Sequence, residues 1–519
     1  MFEQLTPTFI LSIIGIYFAM LYMVSYFTSR KANNETFFLA NRQSSWILVA
    51  IGMVGASLSG VTFISIPGVV GGNGYNKAFS YFQMVMGYVV GYAVIALVLL
   101  PLYYKMGLTS IYTFLKKRLG FYSYKMGAGY FLLSRIIGAS FRLYLVAIVL
   151  QKFVMDSFGI RFEATVAITI LLIWVYTHKG GIKTIIWTDT IQTVAMLTAV
   201  VLTIYAICDA MNLDVSAMLE KARQSHYTQV FFFENGWSDP NNFFKQFISG
   251  ALIAIAMTGL DQDMMQKNLS CPNIRDAQKN VLTFVVVLVL ANLVFLTLGA
   301  FLYVYVTDVG IAIPEKTDYL YPTVAINYLS PFIGITFVLG LIAAAYSSAD
   351  SALTALTTSF CIDFLNFEER TDDSETKKRL RLFVHIGFSL IIFATIRVFS
   401  KVGKDAVISE LFKASTYTYG PILGLFAFAI MTRLNIRERG TLFAGRLTIN
   451  WIVIICIGAP ILSWIINKLM AEQFGFSFGY LILALNALLT FLGLIAISYR
   501  DLETKGYDDD DNSVEYGYD

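Results

Sequence analysis

Oxygen donors crowd one apolar stretch of this sequence, Leu341-Ile-Ala-Ala-Ala-Tyr-Ser-Ser-Ala-Asp-Ser351. The hydroxyls of Ser347, Ser348 and Ser351 and the carboxylate of Asp350 share little more than one helical turn, with Ser347 and Ser351 as i,i+4 neighbours. Hard cations take oxygen ligands, and sodium is a small hard cation served by hydroxyls, carbonyls and one carboxylate. A lone serine would bond back to the i−4 carbonyl or let two helices pack closely; three beside an aspartate point to an ion. A second stretch, Gly55-Ala-Ser-Leu-Ser-Gly-Val-Thr-Phe-Ile-Ser-Ile-Pro-Gly68, interrupts an apolar run with glycines and hydroxyls, and Pro67 has no N–H to give a helix. Such a segment can unwind and aim carbonyls at a cation and amides at an anion where it lines a cavity. Thr258-Gly259 before Asp261-Gln262-Asp263 repeats the pattern, and paired broken helices mark a binding site near the membrane midplane.

Arg135, Arg142, Asp189 and Asp350 also lie inside apolar stretches. Charge in hydrocarbon is expensive, so each is a functional candidate. A spacing of seven puts the two arginines on nearly one helix face, and a planar guanidinium suits a bidentate bond to a carboxylate. The blander readings are snorkelling of Arg135 to the membrane interface, or a structural pair with Asp189 or Asp350. No P-loop, HExxH, GxSxG, acidic metal cluster or TVGYG-like filter occurs, so a primary pump, an enzyme and a selective channel lack support.

The elements that must carry these residues are membrane spans. Of 519 residues, 57% are apolar and 14% charged, against about 45–50% and about 25% in soluble domains. That excludes a soluble enzyme, a coiled coil and a disordered scaffold. Apolar stretches predict thirteen helices, at about 7–28, 44–70, 79–103, 126–154, 161–177, 184–208, 243–262, 282–306, 331–360, 382–399, 410–432, 447–468 and 477–499. Most reach or approach the ~20 residues a span needs. The first lacks a basic flank and a cleavage site, so it reads as a retained span. Four scattered cysteines suggest neither disulfides nor zinc, and a net charge of +3 implies no nucleic-acid partner.

Basic residues gather in alternate loops: Arg30, Lys31 and Arg42; Lys105, Lys116, Lys117, Arg118 and Lys125; Lys179 and Lys183. The set continues with Lys267, Arg275 and Lys279; Arg370, Lys377, Lys378, Arg379 and Arg381; and Arg433, Arg437, Arg439 and Arg446. By the positive-inside rule these loops are cytoplasmic, the N-terminus is outside and the C-terminus inside. Asn212–Asn242 and Thr307–Ser330 are too polar to span and read as external loops, with tyrosine-rich helices lidding a vestibule as the alternative. The acidic end, Tyr507–Asp519, reads as a disordered tail.

The run Tyr176-Thr-His-Lys-Gly-Gly-Ile-Lys-Thr-Ile-Ile-Trp-Thr-Asp-Thr-Ile-Gln192 resembles the signature of the sodium/solute symporter family. Asp261-Gln262 with Gln266-Lys267, the Ser347-Ser348 turn, and Tyr419-Gly420-Pro421 with Gly424 are similar to its other hallmarks, in the family's order, over roughly residues 40–430. Ile182 and Lys267 are mild departures, standing where the family has Leu, Met or Phe and, more often, Arg. The resemblance implies an all-α leucine-transporter fold, an inverted pair of five-helix repeats formed by spans two to six and seven to eleven. The implied organisation is a peripheral first helix and loop over 1–43, a first repeat over 44–208, and an external loop with the second repeat over 209–432. Two peripheral helices over 433–500 and the tail over 501–519 complete it.

By the same resemblance, the main sodium site uses the carbonyls of Gly55, Leu58 and Ala344 and the hydroxyls of Ser347 and Ser348. In the family's sialic acid symporters a second sodium site lies one turn on, and its positions here are Asp189, Ser347, Asp350 and Ser351. Asp350 stands where a small residue is usual, which leaves open a second sodium, a proton or a salt bridge. Two nearby carboxylates raise one another's pKa unless a cation lies between them. Ser57, Ser59 and Thr62 match the ligand-contacting spacing of the sialic acid symporters, and Phe79 with Gln83 reproduces their aromatic-x3-Gln pair after a two-residue loop insertion. Their carboxylate-binding arginine corresponds to Arg135 or Arg142. Sugar carriers are less similar, because Ala256-Met257-Thr258 replaces their aromatic pair.

The expectation is therefore a membrane-embedded, sodium-coupled symporter of a small organic solute, an anion such as a sialic or other carboxylic acid. Sugar or amino-acid carriage is the alternative within the family, and proton-coupled or uncoupled transport the alternative in mechanism. A membrane sensor would normally bring a soluble signalling domain, and the acidic tail is too short to be one.

Overall fold

The computed structural model describes residues 6–30, 34–72, 74–177, 181–234, 236–402, 407–442 and 447–500. Among them, ten helices are long and apolar enough to cross a membrane, two bent pairs each supply one more span, and the shorter Phe162–Thr177 supplies the last. In chain order the spans are Pro7–Thr28; Trp46–Ser57 with Gly60–Val69; Ser80–Lys105; Phe121–Phe153; Phe162–Thr177; and Gly181–Ala210. The seventh to thirteenth are Phe243–Gly259 with Gln262–Asn268; Ile274–Val309; Pro331–Phe364; Ser374–Lys401; Ser409–Met431; Trp451–Phe474; and Gly479–Ala496. All thirteen predicted stretches are helical. Lys31, Lys179, Arg446 and the acidic tail lie outside the described residues.

Several helix starts differ from expectation, among them those of the fourth and tenth spans, which begin five and eight residues early at Phe121 and Ser374; two further differences have plain physical reasons. The eighth helix, of 36 residues, is ~54 Å long at 1.5 Å per residue, longer than a ~30 Å hydrocarbon core. Its first turns, polar and N-capped by the Asn273 side chain on Asp276 N at 2.9 Å, continue the helix beyond the apolar run. The twelfth helix starts at Trp451, because Leu447–Asn450 pairs as a strand with Arg439–Leu442. A second short pair, Asn435–Ile436 with Ser498–Tyr499, ties the end of the last span to the segment after the eleventh. The two polar loops carry the short helices Val215–Gln224 and Leu320–Asn327.

Spans two and seven are the broken ones, bent by 54° and 70°. In span two, Leu58 leaves the helix (φ −81°, ψ 73°) and Ser59 is extended. The carbonyls of the preceding turn thereby lose their i+4 N–H donors. Gly60 reopens the helix where the fourth span presses closest: a Cβ there would meet Val146 Cγ2 at 2.7 Å. In span seven the helix leaves its regular winding at Ile255–Gly259, and Asp261, extended, caps the next half by accepting from Asp263 N at 3.0 Å and Met264 N at 3.3 Å.

The ninth span is the centre of the bundle, buried without interruption from Gly340 to Ser359. The sixth span packs along it, and both close on the break in span two. The first and twelfth spans are peripheral, and their exposed Ile16, Phe27, Ile461 and Trp464 present an apolar exterior suited to lipid. Backbone meets backbone where span three crosses span seven: a Cβ on Gly87 would lie 2.0 Å from Phe247 O, and one on Gly250 2.1 Å from Met84 O. Small residues permit such approaches in membrane bundles. Gly87→Val and Gly250→Val should each cost about 1–3 kcal/mol by overpacking and lower the melting temperature of the purified protein. Gly129→Val, with nothing within 4 Å of the added carbon, is the control, and equal melting temperatures for all three would sink the packing assignment.

Candidate functional site

At the break in span two, three helices converge on Gly55. A Cβ there would meet Thr193 Oγ1 of span six at 2.3 Å, Ser347 Oγ of span nine at 3.2 Å and the Asp189 carbonyl at 3.3 Å. Glycine is required because neighbours occupy the space of any side chain. Ser348 Oγ donates to the Ala344 carbonyl at 3.3 Å and reaches the Ala56 carbonyl at 3.5 Å. Leu58, Ala344, Ser347 and Ser348 are all buried, and Ser347 Oγ has no hydrogen-bond partner among the described residues. An orphaned buried hydroxyl beside freed carbonyls is a neutral set of hard oxygens, which fits a monovalent hard cation such as sodium.

One turn along, Asp189, Asp350 and Ser351 also come together, but around a group that loop-charge counting assigns elsewhere. Lys267 is 1% exposed, and its Nζ donates to Asp189 Oδ2 at 2.6 Å. It sits on the second half of broken span seven and is not a loop residue. Ser351 Oγ lies 3.5 Å from the same Asp189 oxygen. Asp350 accepts from Tyr176 OH at 2.9 Å through Oδ2 and from Ser351 N at 2.5 Å through Oδ1. The cation beside these aspartates is thus a lysine, where an arginine was the basic partner considered from sequence.

On the other side of the break lies a cavity of about 80 Å³. Ser57, Ser59 and Thr62 line it, as do Arg135 and Arg142, which sit two turns apart on span four. The two arginines differ. Arg135 forms an ion pair with Asp263, lies 3.8 Å from Asp261, and reaches neither Asp189 nor Asp350; at 3% exposed it does not snorkel. Asp261 is bound in turn by Tyr419 OH. Arg142, also buried, has Nε and Nη1 without a partner among the described residues. Opposite stand Tyr81, paired to Tyr88 OH at 3.1 Å, and Tyr92, bonded to Thr258 Oγ1 at 3.0 Å.

Phe79 and Gln83 stand apart from this cavity. Gln83 Nε2 donates to the Asn241 and Ser80 carbonyls at 2.8 and 3.2 Å, and Oε1 accepts from Phe232 N at 3.2 Å. Its amide therefore clamps the loop before span seven, and Phe79 N donates to Gln229 O in that loop at 3.0 Å. The reason is helix phase. At ~100° per residue, a position two residues away lies on the opposite face, so the wall of the cavity falls to Tyr81, Tyr88 and Tyr92 and not to Phe79 and Gln83. Their i, i+7, i+11 spacing was the available signal for that wall. For Lys267 and Asp263, the signal was acid and base flanking a predicted break.

Comparisons with known proteins agree with this architecture. A model of the sodium:solute symporter family matches residues 37–448. The sodium/sialic acid symporter NanT of Aliivibrio fischeri is 25% identical over 421 residues, covering 79% of this chain and 80% of NanT. SiaT of Proteus mirabilis, another sodium/sialic acid symporter, is 24% identical over 429 residues, covering 81% and 84%. Human sodium-coupled monocarboxylate transporter 1 is 23% identical, covering 80% of this chain and 67% of that one. Among solved structures, a Na+-coupled sialic acid symporter in a substrate-bound outward-open state superposes with a TM-score of 0.77 at 20% identity, over 94% of this chain and 98% of that one. The nucleobase-cation-symport-1 transporter Mhp1 gives 0.52 at 13% identity, over 89% and 93%. These likenesses show the five-plus-five inverted repeat of the leucine-transporter fold. The chain is a multi-pass membrane transporter coupled to sodium, not an enzyme, and it belongs to the sodium:solute symporter family.

Proposed function

We propose that this transporter imports an anionic solute with a single carboxylate, a sialic acid or a close relative of one, by alternating access. The observation that carries the reading is Arg142: a buried guanidinium with free donors, lining a cavity beside Ser57, Ser59 and Thr62. An unpaired charge at membrane depth is costly, and a carboxylate is the partner its planar fork accepts. Because Asp261 and Asp263 already engage Arg135, Arg142 alone has donors left for the solute, enough for one carboxylate and not two. Hydroxyls, tyrosines and Asn292 around it suit a polyhydroxylated body. The sodium/sialic acid symporters NanT and SiaT and the monocarboxylate transporter point to the same solute class.

Sodium is held by the carbonyls of Gly55, Leu58 and Ala344 and the hydroxyls of Ser347 and Ser348. Leu58 lies between Ser57 and Ser59, so one unwound segment carries donors for both ion and solute. Fixing that segment with sodium sets the solute hydroxyl donors, a linkage typically worth ~1–3 kcal/mol. The N-terminus is outside and the C-terminus cytoplasmic, following the basic residues of alternate loops.

Uptake into proteoliposomes should require sodium, and equal uptake with choline in its place would refute the coupling. Ser348→Ala should raise the sodium concentration for half-maximal uptake about tenfold, within the usual linkage range, with a smaller effect on maximal rate. The two arginines should respond oppositely to neutralisation. Arg135→Met strands buried aspartates and should cost about 3–5 kcal/mol of stability, read as a fall in melting temperature. Arg142→Met should leave the melting temperature of the solute-free protein unchanged or higher and keep its stabilisation by sodium, while abolishing stabilisation by sialic acid. Retained sialic acid binding in Arg142→Met would remove that residue from the solute site.

A further inference from the structure

By the family resemblance, a second sodium position would fall at Asp189, Ser347, Asp350 and Ser351 of this chain, and there Lys267 already contacts Asp189. We propose that the Lys267 ammonium is a tethered cation that takes the place of the second sodium, so that each solute is coupled to one sodium ion. The inference rests on the sodium-coupled reading above and concerns only how many ions that reading involves.

Three observations carry it. Lys267 Nζ lies 2.6 Å from Asp189 Oδ2, with both residues buried, so the carboxylate a sodium would need already has a monovalent cation in contact. A sodium ion beside that ammonium would meet like charge in a poorly screened interior. Both oxygens of Asp350 also accept from protein donors, Tyr176 OH and Ser351 N. Of the four side chains, only Asp189 Oδ1 and Ser347 Oγ are left without a hydrogen-bond partner among the described residues, and Ser347 borders the main site.

Charge balance gives the same answer. With both carboxylates ionised, they and the one ammonium leave a single negative charge. One sodium at the adjacent oxygens of Gly55, Ser347 and Ser348 cancels it, whereas a second would bury a net positive charge, which is unfavourable without a partner. The placement of Lys267 is built in: Gln266 Nε2 donates to Phe38 O at 2.6 Å and to Thr358 Oγ1 at 3.0 Å, fixing the half-helix that carries the lysine.

The test counts radiosodium bound at equilibrium to the purified full-length chain, with no solute needed. The parent should bind one sodium per chain, and Lys267→Met, which empties the tethered position, should bind two and show a steeper rise of melting temperature with sodium. Because Lys267→Met strands Asp189 and can fail to fold, the neutral pair Asp189→Asn/Lys267→Met provides the second arm. It restores the charge balance without the ion pair and should again bind one. Two sodium ions in the parent or in the double variant would overturn the proposal, as would a single sodium in folded Lys267→Met. No bound sodium in the parent would overturn the coupling reading itself, a result distinct from two.

Discussion

Charge buried in a low-dielectric bundle has to be cancelled nearby, and the centre of this protein is organised by that constraint. Isolated ions in such surroundings are costly by several kcal/mol, so partners must come from whichever helix lies close. Arg135 on span four takes Asp261 and Asp263 from the break in span seven. Asp189 on span six takes Lys267 from just beyond the same break. Asp350 on span nine is held by hydrogen bonds from Tyr176 and the Ser351 amide. Span seven thus brings acid to one neighbour and base to another from a single interrupted helix. Arg142 is the arginine these pairings leave open.

The break in span two works differently, through geometry and not charge. Leaving the helix at Leu58 frees carbonyls on the side facing Ser347 and Ser348 and turns Ser57 and Ser59 toward the cavity. Gly55 and Gly60 make this compatible with close packing, since each gives up space that Thr193 and Val146 occupy. A short unwound segment held between the sixth, ninth and fourth spans therefore has two faces with different chemistry. An ion and a solute bound at these two faces would not need to touch to influence one another, because both would act on the same few backbone torsions.

Much of this was legible in the sequence, for reasons of scale. A span is a long apolar run, so thirteen helices could be read directly, and the Gly, Ser and Pro clusters at 55–68 and 258–263 announced their own breaks. Partner choice was not legible. Whether Arg135 meets Asp189 or Asp263 depends on how distant helices slide and rotate against one another, which composition does not record. Lys267 looked like one more basic loop residue because half-helix Gln262–Asn268 is too short to show an apolar period of its own. Phe79 and Gln83 lie away from the cavity that Tyr81 lines, because a shift of two residues is ~200°, just over half a turn, around a helix.

The ammonium of Lys267 differs from a bound ion in one respect: it cannot leave. It stays with the protein through the cycle and adds nothing to the work drawn from the sodium gradient. With the proposed single sodium entering beside one carboxylate, the loaded carrier would gain no net charge over the empty one. On that proposal the steps that reorient the loaded and the empty protein would move the same fixed charges in opposite directions, and a complete cycle would be electroneutral. The voltage across the membrane would set no limit on accumulation. The attainable solute gradient would equal the sodium concentration ratio and not its square.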